Sequence, residues 1–211
     1  MAGVLTQTEH DRLAAAVRAA EAATSGEIHV VVTRRSDSYF YPAAFMLTVG
    51  FMLTSLVAVP LLQWQWIAPS LGRFVAIQAL ALGAAIGLVA TAPALRIHLV
   101  PHALRQRRAH ENAQRQFLAR NIHRTAERTG VLIFISLDEH HATVIADAGI
   151  HGRVSADAWS GMVDRLVAAA RQGDLADGLE AAIAEAGALL AAHFPPRPDD
   201  RNELDDHVAE I

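Results

Sequence analysis

The chain has 211 residues and a formal net charge of -4 at pH 7, a balance that argues against general nucleic-acid binding. It contains no Cys, which excludes a disulfide framework, a thiolate nucleophile and a Cys-ligated metal site. After two long apolar segments, this length leaves room for one modest soluble domain.

The first two elements are a helix and a strand. Apolar residues recur at helical spacing over residues 6–23, and a β-branched run follows over residues 27–33 (EIHVVVT). Glu27 and His29 alternate with Ile28 and Val30, so the two polar side chains share one face of the strand. In a helix-covered sheet that face is buried, and the pair then needs a polar partner. An edge strand removes this need, and we favour the edge.

Two uncharged runs follow, between Asp37 and Arg73 and between Arg73 and Arg96. About 20 apolar residues in a helix cross the hydrocarbon layer, so we expect transmembrane spans at about residues 42–62 and 74–95. The alternative is a pair of buried core helices. A domain of this size is too small to enclose two helices that are apolar on every side.

The flanks of the spans predict their orientation. Aromatic residues typical of membrane interfaces lie at the ends of the first span and in the connector: Tyr39, Tyr41, Trp64 and Trp66, with Pro69 nearby. Arg34, Arg35 and several later Arg residues flank the hairpin, whereas the connector has only Arg73. This imbalance predicts that both termini and the soluble domain are cytoplasmic. We expect no N-terminal signal peptide, since the chain opens with a polar, amphipathic stretch. The exclusive use of Arg over Lys suggests a GC-rich bacterial genome, and we expect the chain to lie in the bacterial inner membrane.

Small residues in the spans suggest a contact. Gly83 and Gly87 form a GxxxG pattern in the second span, and Gly50 lies in the first. Such residues allow close helix approach, so the pattern predicts hairpin packing or a homo-oligomer. In an Ala-rich span the pattern is also common by chance.

The remaining elements complete one domain. We expect a helix over 101–128, strands over 131–137 and 142–147 in antiparallel pairing, and helices over 155–171 and 174–193. The order predicts an α/β fold, a small mixed sheet covered by helices and interrupted by a two-helix transmembrane hairpin. The predicted parts are residues 1–37 and 100–195 for the domain, 38–99 for the hairpin and 196–211 for an acidic tail.

Four stretches occur in a familiar order: TSGEIHVVV at 24–32, RTGVLIFIS at 128–136, ADAGI at 146–150 and QGDLADGL at 172–179. They resemble the TPM domain family, which is named for a thylakoid lumen protein, a photosystem II repair protein and an animal receptor modulator. The closing residues 202–206 (NELDD) resemble a bacterial membrane subgroup with a similar spanning insertion. The resemblance covers residues 6–37 and about 100–211.

This resemblance implies an α/β/α sandwich. It also implies either an accessory role in assembling or repairing membrane complexes, or acid phosphatase activity with a bound metal such as calcium. The chain departs from the family at two places. Arg128-Thr129 stands where many relatives have Asp-Asn, and Ala148-Gly149-Ile150 stands where a Gly-Tyr-Gly is expected.

Two groups of polar residues are candidate sites. Asp147 ends a predicted strand before Gly149, where an oxygen ligand suits calcium or magnesium. Its alternative role is to cap the following loop. The run Asp138-Glu139-His140-His141 has ligand-type side chains, and its alternative is a solvated turn. No nucleophile motif, Walker loop or HExxH occurs, so no catalytic residue is identified.

The Arg cluster between Arg105 and Arg115 fits contact with anionic lipid headgroups. The predicted function is therefore an accessory or binding module, anchored in the lipid bilayer, for another membrane protein or complex. The alternative is a metal-dependent phosphatase acting on phosphate monoesters. Whether the chain is an enzyme stays open.

Overall fold

The computed structural model describes residues 3–65, 70–197 and 207–211. The chain divides into two compact units. The sheet unit comprises Met1–Ser36 and Gln106–Ile211, and the hairpin unit comprises Asp37–Arg105. Trp66 and Pro69 of the connector, and the family-like residues 202–206, lie outside the described residues.

The sheet unit is built on four strands: β1 Glu27–Thr33, β2 Gly130–Ser136, β3 His141–Ala146 and β4 Ala209–Glu210. Their order is β3-β2-β1-β4. β1 is parallel to both β2 and β4, whereas β2 and β3 are antiparallel. The predicted α/β class, the mixed sheet and the antiparallel pairing of the second and third strands are confirmed.

Helices cover both faces of this sheet. The first face packs against α1 (Gln7–Glu21), α6 (Ala156–Gln172) and α7 (Leu175–His193) around a large apolar core that includes Ile133. The second face packs Leu132 and Phe134 against α5 (His102–Ala119). Capping fixes where the helices begin: Thr6 and Glu9 form a capping box on α1, and the Ser155 side chain accepts a bond from the Ala158 N–H on α6.

The edge position predicted for β1 is wrong. The end of the chain, expected to be a tail, returns to the sheet as β4 and pairs with β1 at Val31 and Val32. β1 is therefore an inner strand by its order in the sheet. Glu27 and His29 are only 8% and 5% exposed, so the polar pair is buried.

β4 also forms hydrogen bonds with the residues that precede α1. The Glu210 carboxylate accepts hydrogen bonds from the Val4 and Leu5 N–H groups at 3.0 and 2.8 Å, and it lies 3.0 Å from the His10 ring. Burial alone would raise the pKa of Glu210, but these donors outweigh burial and hold the pKa below its ordinary value. The segment before and at the start of α1 is thus joined to β4 at one carboxylate.

The helix predicted over 101–128 ends early. α5 stops at Ala119, and a separate 3₁₀ turn follows at Ile122–Arg124. The break occurs because Asn121 has a left-handed backbone (φ 57°). Ile122 is then buried against the start of β2, where a Cβ on Gly130 would lie 2.4 Å from the Ile122 carbonyl oxygen.

The hairpin unit contains α2 (Phe40–Trp64), α3 (Leu71–Thr91) and the short α4 (Pro93–Leu99). Both α2 and α3 are long and apolar enough to cross a membrane, each with a mean hydropathy of 2.1 over its most apolar window. Almost none of either window is buried within the protein.

The second span ends earlier in the structure than predicted. The second predicted span ends at residue 95, but α3 ends at Thr91 because Pro93 starts a new helix. Arg96 on α4 then donates to the Val89 and Ala90 carbonyls left open at the end of α3.

The predicted packing of the hairpin through its glycines is wrong. A Cβ on Gly50, Gly83 or Gly87 would meet nothing within 4 Å. The contact between α2 and α3 includes a hydrogen bond from Gln78 to Ser55.

Candidate functional site

The carboxyl ends of the parallel strands β1 and β2 carry a compact polar cluster. This is the sheet edge at which open α/β folds place their ligands. We call it the carboxyl-edge cluster, and it comprises Thr33, Arg35, Ser36, Ser136, Asp138 and Glu139.

Glu139 is the centre of this cluster and is fully buried. One carboxylate oxygen accepts the Ser36 N–H at 2.9 Å, and the other accepts the Ser136 hydroxyl. The Ser36 hydroxyl donates in turn to the Ser136 oxygen at 2.8 Å. These bonds tie the exit of β1 to the turn between β2 and β3.

Arg35 and Asp138 form the outer part of the cluster. The Asp138 Oδ2 atom accepts from Arg35 Nε at 2.8 Å and from Nη2 at 2.6 Å, with both side chains about a quarter exposed. Two donors on one carboxylate oxygen fix the guanidinium more tightly than a single contact does. The turn predicted at residues 138–141 is present, but it is not simply solvated, because its two carboxylates hold the segment after β1.

The two His residues of this turn separate. His140 is exposed and takes a left-handed backbone (φ 50°). His141 begins β3, and its Nδ1 atom lies 3.1 Å from Gln106 Oε1 on α5. The four ligand-type residues therefore do not converge on one point.

Asp147 lies at the opposite end of β3 and is 7% exposed. Its Oδ1 atom accepts the Ala148 N–H at 2.7 Å, as expected for a residue that caps its own loop. Its Oδ2 atom is buried and has no hydrogen-bond partner within residues 3–65, 70–197 and 207–211. The following loop is tight, since a Cβ on Gly149 would lie 2.4 Å from the Glu127 carbonyl oxygen.

The candidate residues divide between two sheet edges. Asp147 and Glu27 both neighbour Gly130 at the amino end of β2. Asp138 and Glu139 follow its carboxyl end, about 20 Å away along the seven-residue strand β2. Within the part of the chain that the structure describes, no three His, Asp or Glu side chains are grouped to hold a metal.

The oxygen ligands available at Asp147 do not fit a dedicated calcium or magnesium site. Ca²⁺ takes six to eight oxygen ligands, and Mg²⁺ takes six in a strict octahedron. The described side chains offer one unpaired carboxylate oxygen there. Metal binding at Asp147 stays a prediction.

Three residues of the carboxyl-edge cluster are not among the site residues predicted from the sequence: Arg35, Ser36 and Ser136. A signal was present, because polar residues follow both parallel strands directly: Thr33 to Ser36 after β1, and Ser136 to Glu139 after β2. Residues at the carboxyl ends of neighbouring parallel strands meet at one edge of the sheet.

Replacing Glu139 by Gln should destabilise the sheet unit by about 1–3 kcal/mol, because an amide whose oxygen still accepts the Ser36 N–H turns its NH₂ group toward the Ser136 hydroxyl, which then loses its acceptor. The matched control is Glu185→Gln, which removes an exposed ion pair with Arg165 and should cost at most about 1 kcal/mol. Thermal unfolding followed by circular dichroism measures both. Equal losses in the two variants would contradict a structural role for the cluster.

Comparison with known proteins adds two findings. Residues 90–189 match the model of a family described as the TPM domain. The NMR structure of the BA42 protein from the psychrophilic bacterium Bizionia argentinensis is similar, with a TM-score of 0.60 and 21% identity over 98% of this chain and 95% of that chain. At this identity the likeness shows the fold alone. No curated protein matches this chain.

Proposed function

The chain belongs to the TPM domain family through residues 90–189, and we propose that it is a membrane-anchored accessory module that binds another membrane protein or complex. The observation that carries the proposal is the exposed apolar surface of α2 and α3, which lie in sequence between two neighbouring strands of one sheet. Exposed apolar area of this extent is stable in lipid and not in water.

An even number of spans supports a single cytoplasmic location for the sheet unit. Two crossings return the chain to the side it left, so that β1 and β2 can pair. Arg34 and Arg35 before the hairpin outnumber Arg73 in the connector. We propose the bacterial inner membrane, with both termini inside.

The carboxyl-edge cluster argues against catalysis by the Ser136–Glu139 pair. Ser136 and Glu139 are a hydroxyl and a carboxylate within hydrogen-bond distance, but both are fully buried. A general base has to reach the proton that it removes from a reacting group. With neither side chain exposed, the pair acts as a structural tie.

Metal-dependent hydrolysis of phosphate monoesters is the alternative. It is favoured by one observation, the unpaired Oδ2 atom of Asp147, and by the family resemblance. Calcium and magnesium titrations with a phosphate-monoester assay, on wild type and Asp147→Asn, test it. Metal-dependent turnover that is lost in Asp147→Asn would favour the enzyme. We expect no robust turnover.

The binding proposal is tested by affinity purification of the tagged full chain in mild detergent, followed by mass spectrometry and reciprocal capture. The matched control is the tagged hairpin unit alone, residues 37–105. We expect a membrane protein that is retained by the full chain and not by the control. Reporter fusions at residue 69 and at the C-terminus test orientation. A periplasmic C-terminus, or partners shared fully with the control, would overturn the proposal.

A further inference from the structure

The helices on the two faces of the sheet carry opposite charges. On the second face, residues 106–128 run through most of α5 and the 3₁₀ turn, and they contain six Arg and two Glu. On the first face, α1, α6 and α7 together contain four Arg and eight Asp or Glu. The formal charge is therefore +4 on the second face and -4 on the first. Because the whole chain is acidic, the basic face is a local feature and not a result of average composition.

The surface of α5 that points away from the sheet is cationic and carries one exposed apolar side chain. We call it the α5 outer face, and it comprises residues at helical spacing: Arg107, Arg108, Glu111, Arg115 and Leu118. Glu111 accepts from both neighbouring Arg side chains, at 2.8 and 3.4 Å, so one negative charge faces three positive ones. Leu118 is 59% exposed. Basic residues that meet lipid headgroups, with an apolar side chain reaching below them, are typical of a helix lying on an anionic membrane.

We propose that the α5 outer face lies against the headgroups of anionic phospholipids. The chain itself favours lipid over a nucleic acid or an acidic protein, because Arg107 follows Thr91, the last residue of α3, by only 16 positions. A short tether to a span holds this face near the bilayer at high effective concentration. The contact rests on the proposed membrane anchoring, since it needs the hairpin to be in the bilayer. It leaves the acidic helices of the first face turned toward the cytoplasm.

The charge of the α5 outer face sets the size of the effect. Each Arg near an anionic membrane surface shifts the contact equilibrium by roughly fivefold. Because Glu111 offsets one of the three Arg, an anionic membrane should favour the contact by roughly 30-fold over a neutral one. Salt should weaken it, since the range of charge interactions falls from about 10 Å at 0.1 M to about 3 Å at 1 M ionic strength.

The absence of Cys allows a single fluorophore to be placed on the full chain in nanodiscs. Gln114→Cys puts it beside the α5 outer face and leaves the residues of that face intact, and Ala181→Cys on exposed α7 is the matched control. The discs contain phosphatidylcholine, alone or with an equal part of phosphatidylglycerol, and a trace of lipid with a nitroxide quencher on its headgroup. Quenching at residue 114 should be strong only in the anionic discs and should be lost at 1 M salt. Quenching at residue 181 should be weak in both.

The same discs separate this contact from the proposed anchoring. A chain held by its hairpin is incorporated into both kinds of disc, whatever the position of α5. Failure to enter either disc would contradict the membrane anchoring itself, whereas incorporation with equal quenching at residue 114 in both discs would contradict only the lipid contact.

A pair of charge variants tests which residues make the contact. Replacing the three Arg of the α5 outer face by Gln should make quenching at residue 114 equally weak in both discs. The matched control removes the same charge from exposed positions on the first face, by Arg12→Gln, Arg18→Gln and Arg165→Gln, and should keep the anionic preference. The melting transition verifies that both variants are folded. The proposal is overturned if the control loses the preference as well, if the α5 variant keeps it, or if residue 114 becomes shielded only when a soluble acidic protein is added.

Discussion

Replacing Ile133 by Asp is expected to unfold the whole sheet unit. Ile133 lies on β2, fully buried between β1 and β3 in the larger core. An unpaired carboxylate there loses its hydration and displaces apolar contacts, a combination that costs more than about 4 kcal/mol. A domain with a total stability of about 5–15 kcal/mol keeps little of it after such a loss.

The measurement is the cooperative melting transition by circular dichroism. The matched control is Leu118→Asp, which makes a similar apolar-to-charged change at a side chain that is 59% exposed. Leu118→Asp should melt close to wild type, whereas Ile133→Asp should show no transition in residues 1–36 and 106–211. A normal transition in Ile133→Asp would mean that these segments do not share one core.

Replacing residues 38–99 by a short flexible linker should give a soluble, folded sheet unit. Both sides of the insertion lie at the same sheet edge. Ser36 bonds to Glu139, and Gln106 lies against His141, which is paired with Ser136. These points are within about three strand spacings, or roughly 15 Å. A few linker residues bridge this distance, since each extended residue spans about 3.3 Å.

The outcome is measured as the partition between the membrane and soluble fractions, with the melting transition of the soluble protein. We expect complete transfer to the soluble fraction and a single cooperative transition. The same linker chain with Ile133→Asp is the control and should not melt cooperatively. Failure of the linker chain to fold would show that the sheet unit needs the hairpin.

The fold could be predicted where local pattern determines structure. β1 and β2 are β-branched runs, each preceded or opened by glycine, and they were located to within one residue. β3 could be predicted because a short turn after β2 makes the next strand run antiparallel to β2. β4 could not be predicted, since a two-residue strand has no period. Its place depends on contacts of Glu210 with residues at the other end of the chain.

Dependence on residues distant in sequence also explains why the turn at residues 138–141 was predicted to be solvated. The residues before β3 have the composition of a solvated turn, and nothing local distinguishes Glu139 from an exposed carboxylate. Its burial depends on Ser36, which is 103 positions away in sequence. The sequence could show that Asp138 and Glu139 follow a strand, but it could not show which donors satisfy them.

The pairing of β1 with β2 has a consequence for the order of events during synthesis. β1 leaves the ribosome before the hairpin, and β2 follows about a hundred residues later. At about 5–20 residues per second, this interval is of the order of 5–20 s. For that time a run of Ile and Val side chains has no neighbouring strand, which is the condition under which nascent chains aggregate or recruit chaperones. The sheet stays incomplete until Ala209–Glu210 have been made. The domain therefore completes its fold only after the hairpin has been translated.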